Sequence, residues 1–322
     1  MDRIRLAALG APFVFLSWLA PAFAQPAGAS APAPGNKRAI ETVVVRGAES
    51  SLASEAAEVA LTPGGATLVD LDELKERSVS SLADMLRYVP GVWAASDAGN
   101  DDIFFSSRGS NLDATDYDMN GIKLLQDGLP VTTADGNNHN RVIDPLSARA
   151  AVVARGANAL KYGASTLGGA IDFITPTARD VPAAELSARG GSHGQRLARA
   201  TFARAFGERL DGLVTVEGKH WDGYREHNRQ RRAGLYANAG WKLSDALETR
   251  FYATYLDNDQ ELPGALTRAE AAEDPSAASA AAIGGDYQLD VETRRLANKT
   301  TWQIGDDRRL EAGLSLEEQR LF

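Results

Sequence analysis

The second half of the chain alternates. Leu235, Ala237, Ala239, Trp241 and Leu243 take turns with Tyr236, Asn238, Gly240 and Lys242. The same period runs through Leu247, Thr249, Phe251, Ala253 and Tyr255, and again through Leu310, Ala312, Leu314 and Leu316. A strand points successive side chains to opposite faces, so this spacing predicts strands with one apolar face and one wet, charged face. Either a soluble sheet packed on one side or the wall of a transmembrane barrel fits that pattern. Strands are predicted at 183–191, 196–206, 210–221, 231–243, 246–258, 287–304 and 308–320. They are joined by "GSHGQ", "GER", "DGYREHNRQ", "SD", a long stretch from Asp259 to Asp286, and "GDD". Every second connection is tight and two of the alternate set are long, which favours a barrel with short turns at one end and long loops at the other. Trp221, Tyr224, Tyr255 and Tyr287 fall at strand ends, where an interfacial aromatic girdle would sit. In this reading Val214, Trp241, Phe251 and Leu314 face lipid, and Glu217, Lys242, Arg250 and Glu311 face the lumen. A soluble sandwich stays open as the alternative.

The other end of the chain addresses it for export. Arg3 and Arg5 precede the apolar run "LAALGAPFVFLSWLA", and "AFA" stands before Gln25. This order predicts a secretory signal peptide over 1–24, with a membrane anchor as the alternative reading. Removing it takes away two Arg and one Asp and moves the formal charge from −9 to −10. An acidic exported chain is a poor partner for nucleic acid. The chain has no cysteine, which excludes a disulfide framework, a thiolate metal site and a cysteine nucleophile. Beyond the leader, no apolar stretch reaches the roughly 18 residues of a spanning helix, so any membrane entry must be by strands.

Between these ends, residues 25–40 read as a Pro/Ala/Gly linker. "ETVVVRG" at 41–47 is a short, strongly strand-forming segment attached to it. Residues 60–178 read as a small α/β domain. "LDELKERSVSSLADMLRYV" has helical spacing and stops at "PGV", and "GIKLLQDGLPV" is strand, Asp-Gly turn, strand. "ARAAVVARG" and "AIDFITP" are further strands around the glycine-rich "ALKYGASTLGGA", with a core expected near Leu82, Leu86, Val152 and Ile171. No Lys-Ser/Thr pair follows those glycines, so they do not read as a phosphate-cradling loop. No local nucleophile–histidine–acid pattern supports an enzyme, and no catalytic or metal-ligating set is assigned.

These motifs resemble the TonB-dependent outer-membrane receptors. "ETVVV" is similar to the family's TonB box. "LADMLRYVPGV", "SSRGSN", "LLQDGLPV" and "VVARGANALKYGASTLGGAIDFITP" follow in the order of its plug domain. The resemblance implies an α/β plug followed by an incomplete antiparallel transmembrane β-barrel, about seven of roughly 22 strands. The chain is therefore expected to be the N-terminal portion of a longer receptor. It implies that Glu41, Thr42, Val43, Val44 and Val45 pair with an edge of TonB, itself energised by ExbB–ExbD. It also implies that Arg108 and Arg155 pair with acidic groups of the barrel wall. Plug-loop residues Asp135, Asn137, Asn138, His139 and Arg141, with His220, Arg225 and His227 in the barrel loops, are the candidates for contact with a small-molecule ligand. A ferric chelate (siderophore or ferric dicitrate) is the first expectation, carried as cargo with no resident cofactor. Haem, a vitamin or another organic cofactor follow, and a passive adhesin or structural barrel is the competing class. Outer-membrane lipid and lipopolysaccharide are the expected surroundings.

Overall fold

The wall follows the alternation closely. In the computed structural model, seven antiparallel strands form one open sheet whose order is the chain order. They are, after seven strands of the preceding domain, β8 (Ala184–Gly190), β9 (Arg196–Phe206), β10 (Leu210–Trp221), β11 (Gln230–Ser244), β12 (Leu247–Gln260), β13 (Val291–Ile304) and β14 (Arg308–Leu321). The structure describes residues 52–322 except 63–64, 76–78, 80, 97–100, 102, 111–120, 133–142 and 306–307. The expected leader, linker and TonB box lie outside the described residues.

Burial separates the two faces as the period predicts. On β10, Asp211, Leu213, Thr215, Glu217 and Lys219 are buried, while Leu210 before them and Val216 among them are exposed. Phe202, Leu235, Trp241, Phe251, Leu296, Leu314 and Leu316 continue that exposed apolar face. Its partner on the other side is a charged, buried face, the arrangement of a lipid-facing wall. One strand differs from expectation: β13 begins at Val291, and Tyr287–Asp290 stays in the long connection. That connection contains two short helices, α4 (Arg268–Glu273) and α5 (Ala280–Gly285), numbered after three in the first domain. Thr267 caps α4 in a full capping box with Glu270, and Ser279 caps α5, which is why so long a connection is ordered.

The first domain opens with α1 (Ala53–Leu61), β1 (Ala66–Asp70), α2 (Leu71–Lys75) and α3 (Leu82–Leu86). Ser81 accepts a bond from the Asp84 amide to start α3, and Leu82, Met85 and Leu86 then line one helix face, all buried. A hairpin of β2 (Val92–Ser96) and β3 (Ile103–Ser107) follows. A mixed five-stranded sheet has the order β1-β6-β7-β4-β5, with β4 (Ile122–Gln126), β5 (Leu129–Pro130), β6 (Ala150–Arg155) and β7 (Gly169–Ile174). Leu71, Leu82, Leu86, Ile122, Leu124, Val153 and Ile171 form its core, each contributing about 1.5–3 kcal/mol by burial. Val152, expected in that core, is only half-buried. A one-residue offset in a strand reverses the face, and Val153 takes the place. Gly169 lets β6 and β7 approach: at φ +153°, a Cβ there would stand 2.5 Å from the Ala154 carbonyl oxygen.

Candidate functional site

The inward face of β9–β11 carries charge because every second residue must point at the plug. Arg199, Glu217, Lys219 and Arg232 occupy such positions, and the plug meets them with two carboxylates. Asp101, just before β3, lies 2.5 Å from Arg232 Nη1 and 3.2 Å from Lys219 Nζ, and accepts a bond from Gln230 Nε2 at 2.7 Å. Asp144 caps the turn Pro145–Ser147 through the Leu146 amide, contacts Arg199, and lies 3.4 Å from Arg232 Nη2. Glu217 closes the network, 2.6 Å from Arg199 and 2.9 Å from Arg232. Three carboxylates thus face three cations, with every side chain at most 9% exposed. Burial alone would raise the Asp101 carboxyl, but the charges of Arg232 and Lys219 outweigh it and hold it below its ordinary value.

A second contact is made by the β4–β5 hairpin. Its Asp127-Gly128 turn has both residues at positive φ, 52° and 79°, the conformation an Asp-Gly pair favours. Asp127 accepts bonds from the Thr175 amide and hydroxyl, and Asp172 accepts from the Gly128 amide at 2.9 Å. The wall grips this turn mostly through carbonyls. Lys299 donates to the Asp127 carbonyl at 2.9 Å, and Arg295 to the Gln126 side chain and the Pro130 carbonyl. Leu129 packs on Tyr252 and Ala297 and fills the space a Cβ at Gly313 would need. Burial, helped by the neighbouring Asp127 charge, raises Asp172 to about 6, against the Gly128 bond. Between the two contacts lies a cavity of about 70 Å³, lined by Val131, Ile143 and Phe173 of the plug and Tyr236 and Leu256 of the wall.

The anticipated residues are distributed differently. Among the described residues, Arg108 and Arg155 reach no wall carboxylate. Arg155 donates to Thr67 Oγ1 at 2.8 Å inside the plug, and its pKa is lowered by burial and then by Arg108 beside it. Where ion pairs do join plug and wall, their polarity is the reverse of the expected one, with cations on the wall and carboxylates on the plug. His220 points outward, because Lys219 beside it points in, and lies 3.0 Å from Asp222. Arg225 is spent on the Ala277 and Pro263 carbonyls, and His227 Nε2 is 3.0 Å from the Tyr287 carbonyl oxygen. These two side chains brace the long β12–β13 connection against the β10–β11 loop. Asp135, Asn137, Asn138, His139, Arg141 and the segment Glu41–Val45 lie outside the described residues. Among the described residues no group of three acidic or histidine side chains could hold a metal ion.

Sequence reasoning did not single out Asp101, Asp144, Arg199, Lys219 or Arg232. The signal was present, since the wall members sit at inward positions of the alternation, but the plug partners are far away in sequence.

Comparison with known proteins agrees with this architecture. Residues 58–170 match the family model of the TonB-dependent receptor plug domain. A hemin receptor of Yersinia enterocolitica is 25% identical over 239 residues, covering 69% of this chain and 32% of that protein. A vitamin B12 transporter, BtuB of Vibrio vulnificus, is 25% identical and covers 47% of the chain and 24% of its own length. The chain thus spans about a third or less of these relatives. Among solved structures, the ferric citrate transporter FecA in its unliganded form superposes with a TM-score of 0.66 at 18% identity. That match covers 83% of this chain and 42% of FecA, a likeness of fold. Residues 58–170 thus carry the plug domain of the TonB-dependent receptors, and seven antiparallel strands of an open, incomplete wall follow it.

Proposed function

We propose that the chain is the plug and opening wall of an outer-membrane receptor that imports a large, scarce ligand by coupling to TonB. The observation that carries this reading is the buried ion-pair network between Asp101 and Asp144 of the plug and Arg199, Lys219 and Arg232 of the wall. A passive barrel does not require a folded domain held against its wall. Charged contacts have little intrinsic preference for the docked state, because water can solvate both sides again once the plug shifts. Glu41–Val45 would supply the handle, adding a strand to an exposed edge of TonB in the periplasm. The remaining assignments follow from this: residues 1–24 as the export leader, 25–40 as the tether, and 183–322 as wall in lipid.

A ferric chelate is the ligand proposed, because "LLQDGLPVTTADG" and "ELPGALTRAEA" look most like the ferric-dicitrate and siderophore branch. Haem is the second reading, motivated by the hemin receptors among the relatives. A peptide of residues 37–50 should bind the TonB C-terminal domain, and the Val44→Pro peptide, which lacks one backbone donor, should not. Equal affinity of both peptides, or none for either, would remove the energised-transport reading. Titrating the full chain with ferric dicitrate and with hemin, followed by tryptophan quenching, separates the two ligand classes.

A further inference from the structure

At its upper end, the plug–wall network holds two cations that face each other. Lys219 of β10 is directly opposite Arg232 of β11, and Arg232 is directly opposite Asn258 of β12, all buried on the inward face. Like charges directly opposite across a sheet are unfavourable unless an anion joins them. Asp101 is that anion. Among the described residues, every hydrogen bond to its carboxylate comes from the wall: Arg232 Nη1 at 2.5 Å, Gln230 Nε2 at 2.7 Å, and Lys219 Nζ at 3.2 and 3.3 Å. Asp144 differs, because the Leu146 amide ties it into its own turn. Without Asp101, Arg199, Lys219 and Arg232 face only Asp144 and Glu217, and one positive charge is left uncompensated. Nearby acidic groups do not supply the balance. Asp257 and Asp259 alternate onto the outward face of β12, Glu261 pairs with Arg229 at 2.5 Å, and Asp290 accepts from the Gln260 backbone amide at 3.3 Å.

One rung higher, about 7 Å nearer the long loops, the wall offers neutral groups in place of charge. Gln230 and Gln260 are directly opposite each other there, 0% and 2% exposed. Gln230 Nε2 also donates to Asn258 Oδ1 at 2.7 Å. Among the described residues, Gln230 Oε1, Asn258 Nδ2 and both amide atoms of Gln260 have no partner. Buried polar atoms are nearly always hydrogen-bonded, so a cluster of unmet ones calls for an occupant. Two cations that take a carboxylate, edged by spare amide donors and acceptors, fit an oxyanion with hydroxyl or amide groups beside it.

We propose that Asp101 is an internal stand-in for the ligand: a carboxylate of the imported chelate displaces it from Lys219 and Arg232, and neutral groups beside that carboxylate bond Asn258 and Gln260. The exchange keeps the wall's charge in balance and frees the β2–β3 hairpin, so occupancy and plug release become one equilibrium. By linkage, the ligand weakens plug docking by the same factor by which Asp101 weakens the ligand. The site rests on the reading of the chain as part of an importer of an anionic chelate.

The test uses the full chain in a non-ionic detergent and three probes: ferric dicitrate, iron-free citrate and a neutral ferric trihydroxamate. Affinities are measured by calorimetry. Asp101→Asn removes the competing charge and should tighten both citrate probes at least tenfold, leaving the trihydroxamate unchanged. Lys219→Met should weaken both at least tenfold. Gln260→Met removes two unmet polar atoms, so a merely structural role predicts unchanged binding, whereas the site predicts at least fivefold weaker citrate binding with thermal stability kept. In the unaltered chain, saturating citrate should speed hydrogen exchange of β2 and β3 at least tenfold and leave β4 and β7 unchanged. That measurement does not depend on any variant folding. Unchanged or weaker citrate binding by Asp101→Asn, hairpin exchange unmoved at saturation, or binding of the trihydroxamate alone would each overturn the exchange, as would no binding of any probe. Iron-free citrate that follows the whole pattern while ferric dicitrate does not bind would uphold the site and remove the ferric-chelate reading.

Discussion

The plug is held on its two flanks by different physics. Toward β9–β11 it docks through full charges: Asp101 and Asp144 lie against three buried cations, and Glu217 completes the balance. Toward β12–β14 it docks through carbonyls, a packed leucine and a tight turn, with Lys299 and Arg295 donating to neutral oxygens. A buried charge that loses its partner costs far more than a neutral bond that reverts to water. The first flank therefore depends on each of its members, and the second can yield in steps. The two flanks also answer pH in opposite directions, because Asp101 is held below its ordinary pKa and Asp172 above it.

The largest effect is expected on the charged flank. Arg232→Met leaves Asp101, Asp144 and Glu217 short of a cation, and should weaken plug docking by about 3–5 kcal/mol. Hydrogen exchange of β2 and β3 in the full chain would show it. A loss under 1 kcal/mol would mean that the network is solvated and does not hold the plug.

The two faces of the wall give the next contrast. Lysine at Phe251, which is 53% exposed on the outward face, should cost about 2–4 kcal/mol near mid-membrane. Lysine at inward Thr301, directly opposite Glu311, should cost under about 1 kcal/mol. Tyr252, the inward neighbour of Phe251, is a poor control because it packs on Leu129. Equal costs in a refolding assay would contradict the assignment of faces.

Acid should separate the flanks. Asp172 binds its proton more tightly in the folded chain than in the unfolded one. Between pH 4 and 6 its contribution therefore favours the fold at the acid end and is lost as pH rises, by at most about 3 kcal/mol. Asp172→Asn, which keeps the acceptor for the Gly128 amide, should stabilise the plug at pH 7 and flatten that slope. Asp101 behaves oppositely: its contribution is present above its unfolded pKa and fails only as pH falls through the lower folded value. A melting temperature that rises steadily from pH 4 to 6 and is unchanged by Asp172→Asn would reject this assignment.

The smallest effect concerns the loops. Arg225→Ala removes the bonds to the Ala277 and Pro263 carbonyls and should raise exchange in α4 and α5 by about 1–2 kcal/mol of local stability, leaving the strands unaffected.

What the sequence disclosed follows the same division. The wall was legible because alternation is local: strands expected at 196–206 and 210–221 are observed at those limits. The outward positions of Trp241, Phe251 and Leu314 follow from the same period. The start of β13 was misjudged because Tyr287 and Leu289 continue the apolar pattern while the chain there bonds back to Gln260 and Leu262. The docking site was illegible for a different reason. Asp101 and Arg232 are 131 residues apart, and nothing local to "NDDIFF" or "RQRRAG" marks them as partners. Arg108 and Arg155 are conspicuous in sequence because glycine follows each, yet those glycines serve backbone turns at φ +80° and +61°.

The most direct measurement is a double-mutant cycle between Asp101 and Arg232, with Asp101→Asn and Arg232→Met alone and combined in the full chain, read by exchange protection of the plug. Direct pairing across the plug–wall boundary predicts strong non-additivity, with a coupling of about 2 kcal/mol or more. Additive losses, within about 0.5 kcal/mol, would show that the two side chains do not hold plug and wall together.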